Sequence, residues 1–168
     1  ELAVTIGDLQ VIPFSKSHDA DDPHSFMISG EGINIGVITD IGYACIQVTN
    51  YFRQCHAAFL EANYCEDMLA NGNYPYYLKK RISGNNGHLS NTQAVDLLQL
   101  LILSHLSKNN NTPQIVNELF TKQAGDVKIV VASRYEETPV FCIEQTGKPA
   151  VKRLRRSTRQ NEFQLSLF

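Results

Sequence analysis

The sequence predicts an α/β fold of layered strands and helices, and three observations support this prediction. Along the chain, short apolar runs of strand length alternate with segments that carry helix signals. The run Ile35–Thr39 is almost continuously apolar, as buried strands are. The sequence Ser90-Asn91-Thr92-Gln93 is a capping box, which marks the start of a helix.

Turn residues divide the apolar runs into strands. Gly7-Asp8 joins Leu2–Ile6 to Leu9–Phe14, and the sequence GEG joins Phe26–Ser29 to Ile33–Thr39, so each pair predicts a β-hairpin. Four more strands are predicted at Ala57–Glu61, Leu100–Leu103, Val127–Ala132 and Pro139–Ile143.

Helix signals occur from Cys65 onward. Four helices are predicted: Cys65–Ala70 before Asn71-Gly72, Tyr76–Ile82 after Pro75, the capping-box helix running through Leu98, and an amphipathic helix from Thr112-Pro113. Between Leu97 and Leu101 there are no turn residues, although such connections normally take about 2–6 residues. Either the third helix is longer than predicted, or a loop is absent from the sequence there.

Composition excludes several classes of protein. With 168 residues, 43% of them hydrophobic and 19% charged, the chain can build the core of one ordinary domain and is not globally disordered. A net charge of −2 gives no bulk attraction to nucleic acid. No apolar run reaches the roughly 20 residues that a membrane span needs, and the first ten residues do not resemble a secretory signal.

The four cysteines do not form a metal or redox motif, because no pair has CxxC spacing. In a chain of this length they indicate reduced, partly buried thiols of a cytoplasmic protein rather than a disulfide framework. These cysteines are Cys45, Cys55, Cys65 and Cys142.

Three of the five histidines, His18, His88 and His105, follow apolar runs where strands end in polar loops, and Asp40 ends its strand in the same way. Ligands of a catalytic metal are often presented from such loops, and imidazole nitrogens with carboxylate oxygens suit Zn²⁺ or Mn²⁺. Each residue alone has a simpler interpretation as a structural or solvated side chain, and Asp40 could be only a turn former.

Five segments together resemble the later half of a metallo-β-lactamase-fold hydrolase, and most of all its WalJ/YycJ-like subgroup. They are ITDIGY at 38–43, LEANY at 60–64, YPYYLKKRISGNNGHLSN at 74–91, SHLSKNNN at 104–111 and VASR at 131–134. The resemblance covers residues 1–144, and the motifs occur in the order of the family. It implies part of a four-layer αββα sandwich with two divalent metal ions, zinc or manganese, at one edge.

The resemblance also assigns roles to single residues. Asp40 resembles the aspartate that bridges the two metals, and His18 and His105 resemble metal-ligand histidines. His88 resembles the histidine that contacts the scissile phosphate and assists the leaving group in related phosphodiesterases. His24 and His56 match no motif position.

The sequence departs from the family in lacking the HxHxDH motif, which supplies most ligands of the two metals. We therefore expect these residues to be part of a longer polypeptide whose N-terminal half carries that motif. The alternative is a truncated or degenerate protein.

The segment 145–168 differs in amino-acid composition from residues 1–144. Lys148 to Arg159 contains six cations and no acid, which predicts a flexible basic linker. The last residues resemble the peptide that binds the bacterial DNA polymerase sliding clamp, with Gln164 for polar contacts and Leu165, Leu167 and Phe168 as apolar residues. The alternative is that these residues pack back on their own domain.

Together, the two resemblances predict a metal-dependent phosphodiesterase, acting as a DNA 5′-exonuclease linked to repair or replication through the clamp. One alternative is an RNA or small-molecule phosphodiesterase on the same fold. Another is a degenerate, non-enzymatic DNA-binding module tethered to the clamp, which the missing HxHxDH motif favours.

Overall fold

The computed structural model describes residues 2–97, 101–125, 127–133 and 135–143, with the backbone alone at 101 and 102. Its seven strands form one sheet in sequence order. The strands are β1 Val4–Ile6, β2 Leu9–Ser15, β3 His24–Gly30, β4 Ile33–Ile38, β5 Ala57–Glu61, β6 Leu101–Ser104 and β7 Ile129–Val131. The helices are α1 Ile46–Phe52, α2 Glu66–Asn71, α3 Tyr76–Ile82, α4 Asn91–Val95 and α5 Pro113–Gln123.

The sheet is mixed, since β1 to β4 pair antiparallel and β4 to β7 pair parallel. Tight turns join the antiparallel strands. Gly7 at φ 58° connects β1 to β2, while Glu31 at φ 50° and Gly32 at φ 75° connect β3 to β4. Two successive residues with positive φ form the kind of hairpin turn that matches the twist of a sheet. The parallel strands are joined by crossovers that contain the helices.

One face of the sheet carries the core. Phe14, Ile38, Leu60 and Leu103 point to this face from four strands and are completely buried. Residues of α1, α4 and α5 cover them: Val48 and Phe52, Ala94 and Val95, and Val116 and Phe120. At one end of the core the rings of Phe14 and Tyr51 stack with centroids 4.3 Å apart.

The opposite face is also apolar but less covered. Pro13, Phe26, Val37 and Phe59 occupy one row across β2 to β5, because they are register partners. None of them is fully buried, and Phe26 is 40% exposed. Parallel strands are normally covered on both faces. The apolar residues of this second face are therefore typical of a surface that packs against further structure.

The α/β class is confirmed, and most elements lie where the sequence predicts them. The strand Ala57–Glu61 and the helix Tyr76–Ile82 match their predicted bounds. The capping box is formed in full, since the Ser90 hydroxyl accepts from the Gln93 amide and the Gln93 side chain accepts from the Ser90 amide. The helix that it starts ends at Val95, earlier than predicted, and residues 98–100 lie outside the described residues.

Two further differences have physical reasons. The predicted strand Pro139–Ile143 is wrong, because the structure has only an isolated bridge residue, Cys142, in this stretch. Proline cannot donate to a strand ladder, which weakens such a segment. The helix α1 has no sequence signal, since its N-cap Cys45 makes no side-chain cap bond and its first turn has no acid.

All four cysteine thiols are free in the structure. Among the described residues, none of the helices has the length and apolar composition needed to cross a membrane.

Candidate active site

Three acidic or imidazole side chains come from the carboxyl ends of adjacent parallel strands. Asp40 follows β4 by two residues, Glu61 is the last residue of β5, and His105 directly follows β6. Because these strands are parallel neighbours, their carboxyl ends meet at one edge of the sheet. His88 joins them from the loop between α3 and α4.

The backbone at two of these positions is in the left-handed region, with φ 54° at Asp40 and 56° at His105. Residues other than glycine rarely adopt this conformation, and outliers of this kind concentrate at functional sites. Each turns the chain sharply at a strand end, so both side chains are presented at the same edge.

The side chains meet closely. Nδ1 of His105 lies 3.3 Å from Oδ1 of Asp40, and Nδ1 of His88 lies 3.8 Å from the same oxygen. One potential ligand atom from each of Asp40, Glu61, His88 and His105 lies within 4.8 Å of the others. Imidazole nitrogens and carboxylate oxygens are the types of ligand that Zn²⁺ and Mn²⁺ take in proteins. Asp40 and His105 are each 39% exposed, so the group is open to solvent.

Glu61 is the buried centre of the group. It is 0% exposed, and its two carboxylate oxygens accept hydrogen bonds from the surrounding loops. The donors are the Ile41 amide at 2.8 Å, the Leu89 amide at 3.3 Å, Asn63 Nδ2 at 3.2 Å, His88 Nδ1 at 2.7 Å and His105 Nδ1 at 3.1 Å.

These donors determine the charge of Glu61. Burial raises the pKa of its carboxyl, but hydrogen bonds from His105, His88 and the Ile41 amide outweigh burial and lower the pKa to about 2. Glu61 is therefore a carboxylate at neutral pH. A carboxylate only accepts hydrogen bonds, so the hydrogen of the bond to His88 is on Nδ1. Nε2 of His88 is then the ring atom available to a ligand.

His18 stands beside this group. Its Nδ1 lies 2.8 Å from the carbonyl oxygen of Gly87 and therefore carries the hydrogen of that bond. Its Nε2 lies 4.0 Å from Oδ1 of Asp40 and 3.4 Å from Oδ1 of Asp19. The ring centroids of His18 and His88 are 5.2 Å apart.

Two glycines hold the loop that carries His88. A Cβ at Gly87 would collide with the carbonyl oxygens of Arg81 and Ile82, and a Cβ at Gly42 would collide with the carbonyl of Asn85. These close contacts let the loop pack directly on the end of α3 and on the residues after Asp40.

Lys16 anchors the other side of the Asp40 turn. Its Nζ donates to the carbonyl oxygen of Thr39 at 2.7 Å. Burial lowers the pKa of the Lys16 ammonium, while Asp40 and Glu61 oppose this shift. The chain before the left-handed Asp40 is thus tied to the end of β2.

The structure brings together the four residues singled out from the sequence: His18, Asp40, His88 and His105. Their roles as ligands or acid remain predictions. Sequence reasoning missed Glu61 as a site residue, although a charged residue at the end of an apolar strand was a visible signal. The predicted clamp-binding residues 164–168 lie outside the described residues.

The sheet with its helices and the site at its edge define a protein with the metallo-β-lactamase fold, and solved structures agree. The metallo-β-lactamase fold protein YhfI from Bacillus subtilis matches 78% of this chain and 49% of its own, with a TM-score of 0.60 and 12% identity. Zn²⁺-bound PqqB from Methylobacterium extorquens matches 78% of this chain and 50% of its own, with a TM-score of 0.53 and 14% identity. No family model matches the chain.

The sequence is similar to two curated exodeoxyribonucleases, which confirms the resemblance to the WalJ/YycJ-like subgroup. Exodeoxyribonuclease YycJ of Bacillus anthracis is 31% identical over 119 residues, 66% of this chain and 45% of that protein. Exodeoxyribonuclease WalJ of Streptococcus pneumoniae is 29% identical over 152 residues, 81% of this chain and 56% of that protein. The chain thus spans about half the length of the curated relatives that it matches.

Proposed function

We propose that the protein is a metal-dependent phosphodiesterase that degrades DNA from the 5′ end. The observation that carries this proposal is the meeting of Asp40, His88 and His105 around the buried carboxylate Glu61. The similarity to proteins named exodeoxyribonucleases supports DNA as the substrate. The fold alone would not decide the chemistry, because it hosts many activities.

Asp40, His105 and His18 are the residues that we propose as metal ligands. The HxHxDH pattern is not among these 168 residues. Asp40, His105 and His18 would therefore supply one side of a centre for two divalent ions, zinc or manganese. Such ions polarise phosphate oxygens and lower the pKa of water when they are bound. Glu61 keeps the imidazoles of His88 and His105 in fixed orientations, which metal sites require of their supporting groups.

His88 is the residue that we propose for proton transfer to the leaving oxygen. Its Nδ1 is engaged with Glu61, so Nε2 is the ring nitrogen that remains for the proton transfer. Proton transfer by a positioned histidine typically contributes about 10²- to 10⁴-fold to a rate. Glu61 would stabilise the charged ring before the transfer and hold the neutral ring in place afterwards.

The test is hydrolysis of duplex DNA labelled at either end, with Mn²⁺ or Zn²⁺ and with chelator. We expect release of label from the 5′ end, and no release with chelator. Asp40→Ala should lose bound metal and activity together, whereas His88→Ala should keep metal but lose activity. His24→Ala, a histidine outside the group, is the matched control. Equal hydrolysis by His88→Ala and the control would remove His88 from the mechanism.

We also propose that the tail connects this activity to replication or repair. Gln164, Leu165, Leu167 and Phe168 would bind the sliding clamp as a short peptide carried on a basic linker. Deleting residues 164–168 should abolish clamp binding in a pull-down and leave hydrolysis of free DNA unchanged. Clamp affinity equal to that of the intact protein would contradict the tether.

A further inference from the structure

A cavity of about 470 Å³ is lined by the loop after β6, the start of α5 and the segment after β7. The loop after β6 forms one wall through Lys108, the start of α5 forms another through Gln114, and Tyr135 borders the side after β7. This volume is in the range of about 300–1,000 Å³ that small-molecule sites occupy. Leu106 also lines the cavity and directly follows His105, so the cavity and the candidate metal site share one loop.

The charge of the lining suits an anion. Among the described lining residues, Lys108 is the one cation and none is an acid. The Lys108 side chain is exposed, and its ammonium makes no hydrogen bond or ion pair within the described part of the chain. Under the proposed function, an exposed ammonium on the loop that also carries His105 would bind a flanking phosphate of the strand.

The other walls suit a base. Tyr135 is 84% exposed, so the face of its ring is accessible to a stacking partner. Pro113 and Val131 add apolar surface to the same cavity. Aromatic rings next to cations are the common platform for single-stranded nucleic acid, because every base has a face that can stack.

We infer that this cavity binds the nucleotide next to the cleaved phosphodiester, with Lys108 on a flanking phosphate and Tyr135 stacked on a base. The inference rests on the proposed function, since DNA is the occupant that the neighbouring site would present. It adds a binding subsite for the strand that lies outside the candidate metal group.

The test measures binding of a fluorescent single-stranded oligonucleotide by the purified protein, with chelator present so that the strand stays intact. Lys108→Met should weaken binding several-fold and reduce the slope of log affinity against log salt by about 0.7, as for one lost phosphate contact. Lys122→Met, at an exposed lysine in the last turn of α5, is the matched control and should change neither quantity. Lys108→Arg should retain binding.

The base contact is tested separately. Tyr135→Leu should weaken binding of the oligonucleotide by about tenfold. It should not weaken binding of a strand of the same length made of abasic residues. Equal losses on both strands would contradict stacking.

The outcomes distinguish this inference from the proposed function. If Lys108→Met and Lys122→Met bind with the same affinity and salt slope, or if the unaltered protein does not bind the strand, the cavity inference is overturned. If binding depends on Lys108 but no DNA is degraded with Mn²⁺ or Zn²⁺, the proposed function fails, and the cavity stands only as a binding site for single-stranded DNA.

Discussion

Asn91 and Asn111 exchange two side-chain hydrogen bonds, of 3.1 and 2.7 Å, in the interior of the protein. Asn91 is the first residue of α4, and Asn111 precedes the N-cap of α5. Asn111 also donates to the carbonyl oxygen of Ala62 at 2.8 Å, just after β5. One pair of amides therefore ties two helix starts to the strand end that carries Glu61.

We expect Asn111→Ala to destabilise the protein by about 1–3 kcal/mol, because it leaves buried polar groups of Asn91 and Ala62 without partners. Urea unfolding gives the free energy. The double variant with Asn91→Ala should cost less than the sum of the two single variants, as contacting residues do. Strictly additive losses would show that the pair is not coupled.

Glu61→Gln should reduce metal affinity and activity by about 10- to 100-fold, the usual effect of losing a group that supports metal ligands. A glutamine has one acceptor oxygen where Glu61 serves several donors, and it brings an NH₂ group against the His88 or His105 ring. Titration with Mn²⁺ or Zn²⁺ measures the affinity directly. Glu118→Gln, at an exposed glutamate of α5, is the matched control. Metal affinity equal to that of the control would exclude this role for Glu61.

Gly87→Ala should destabilise the loop that carries His88 and should also weaken metal binding. The added Cβ would collide with the carbonyl oxygens of Arg81 and Ile82, and moving Gly87 removes the acceptor that fixes the His18 ring. Gly84→Ala is a milder change in the same loop, with the added Cβ 3.0 Å from the Lys80 oxygen. Thermal unfolding and metal titration of both variants test this ranking, and the reverse order would contradict it.

Cys55 should react slowly with thiol reagents in the folded protein. Burial raises the pKa of its thiol to about 11, and its Sγ–H donates to the Tyr51 carbonyl. The raised pKa favours folding while the thiol is neutral, so this stability is present below about pH 9 and is lost as pH rises through about 11. Iodoacetamide labelling at pH 9, followed by peptide mass, should leave Cys55 largely unmodified until urea is added. Rapid labelling without urea would contradict the prediction.

Local signals explain what could be predicted from the sequence. Gly7-Asp8, the GEG turn and the capping box at Ser90 act through adjacent residues, so the elements that they delimit were predictable. The helix α1 lacks such signals and forms because Val48 and Phe52 pack on the sheet. That packing depends on tertiary contacts, which the sequence pattern does not show.

The residues of the candidate site were also only partly predictable from the sequence. Asp40 and His105 were predictable as strand-end residues, and the family motifs pointed to His88. The importance of Glu61 comes from five donors on four segments, and no single stretch of sequence shows their convergence. A buried carboxylate of this kind becomes recognisable only when the strands are placed side by side.

The left-handed backbone at Asp40 and His105 has a consequence for the stability of the protein. Holding non-glycine residues there costs of the order of 1–3 kcal/mol each, so glycine at either position would relieve strain while removing a side chain of the candidate site. Replacement of either residue by glycine is therefore expected to raise the free energy of unfolding. Asp40→Gly is accordingly expected to unfold at a higher temperature than the unaltered protein, although it lacks a carboxylate of the candidate site.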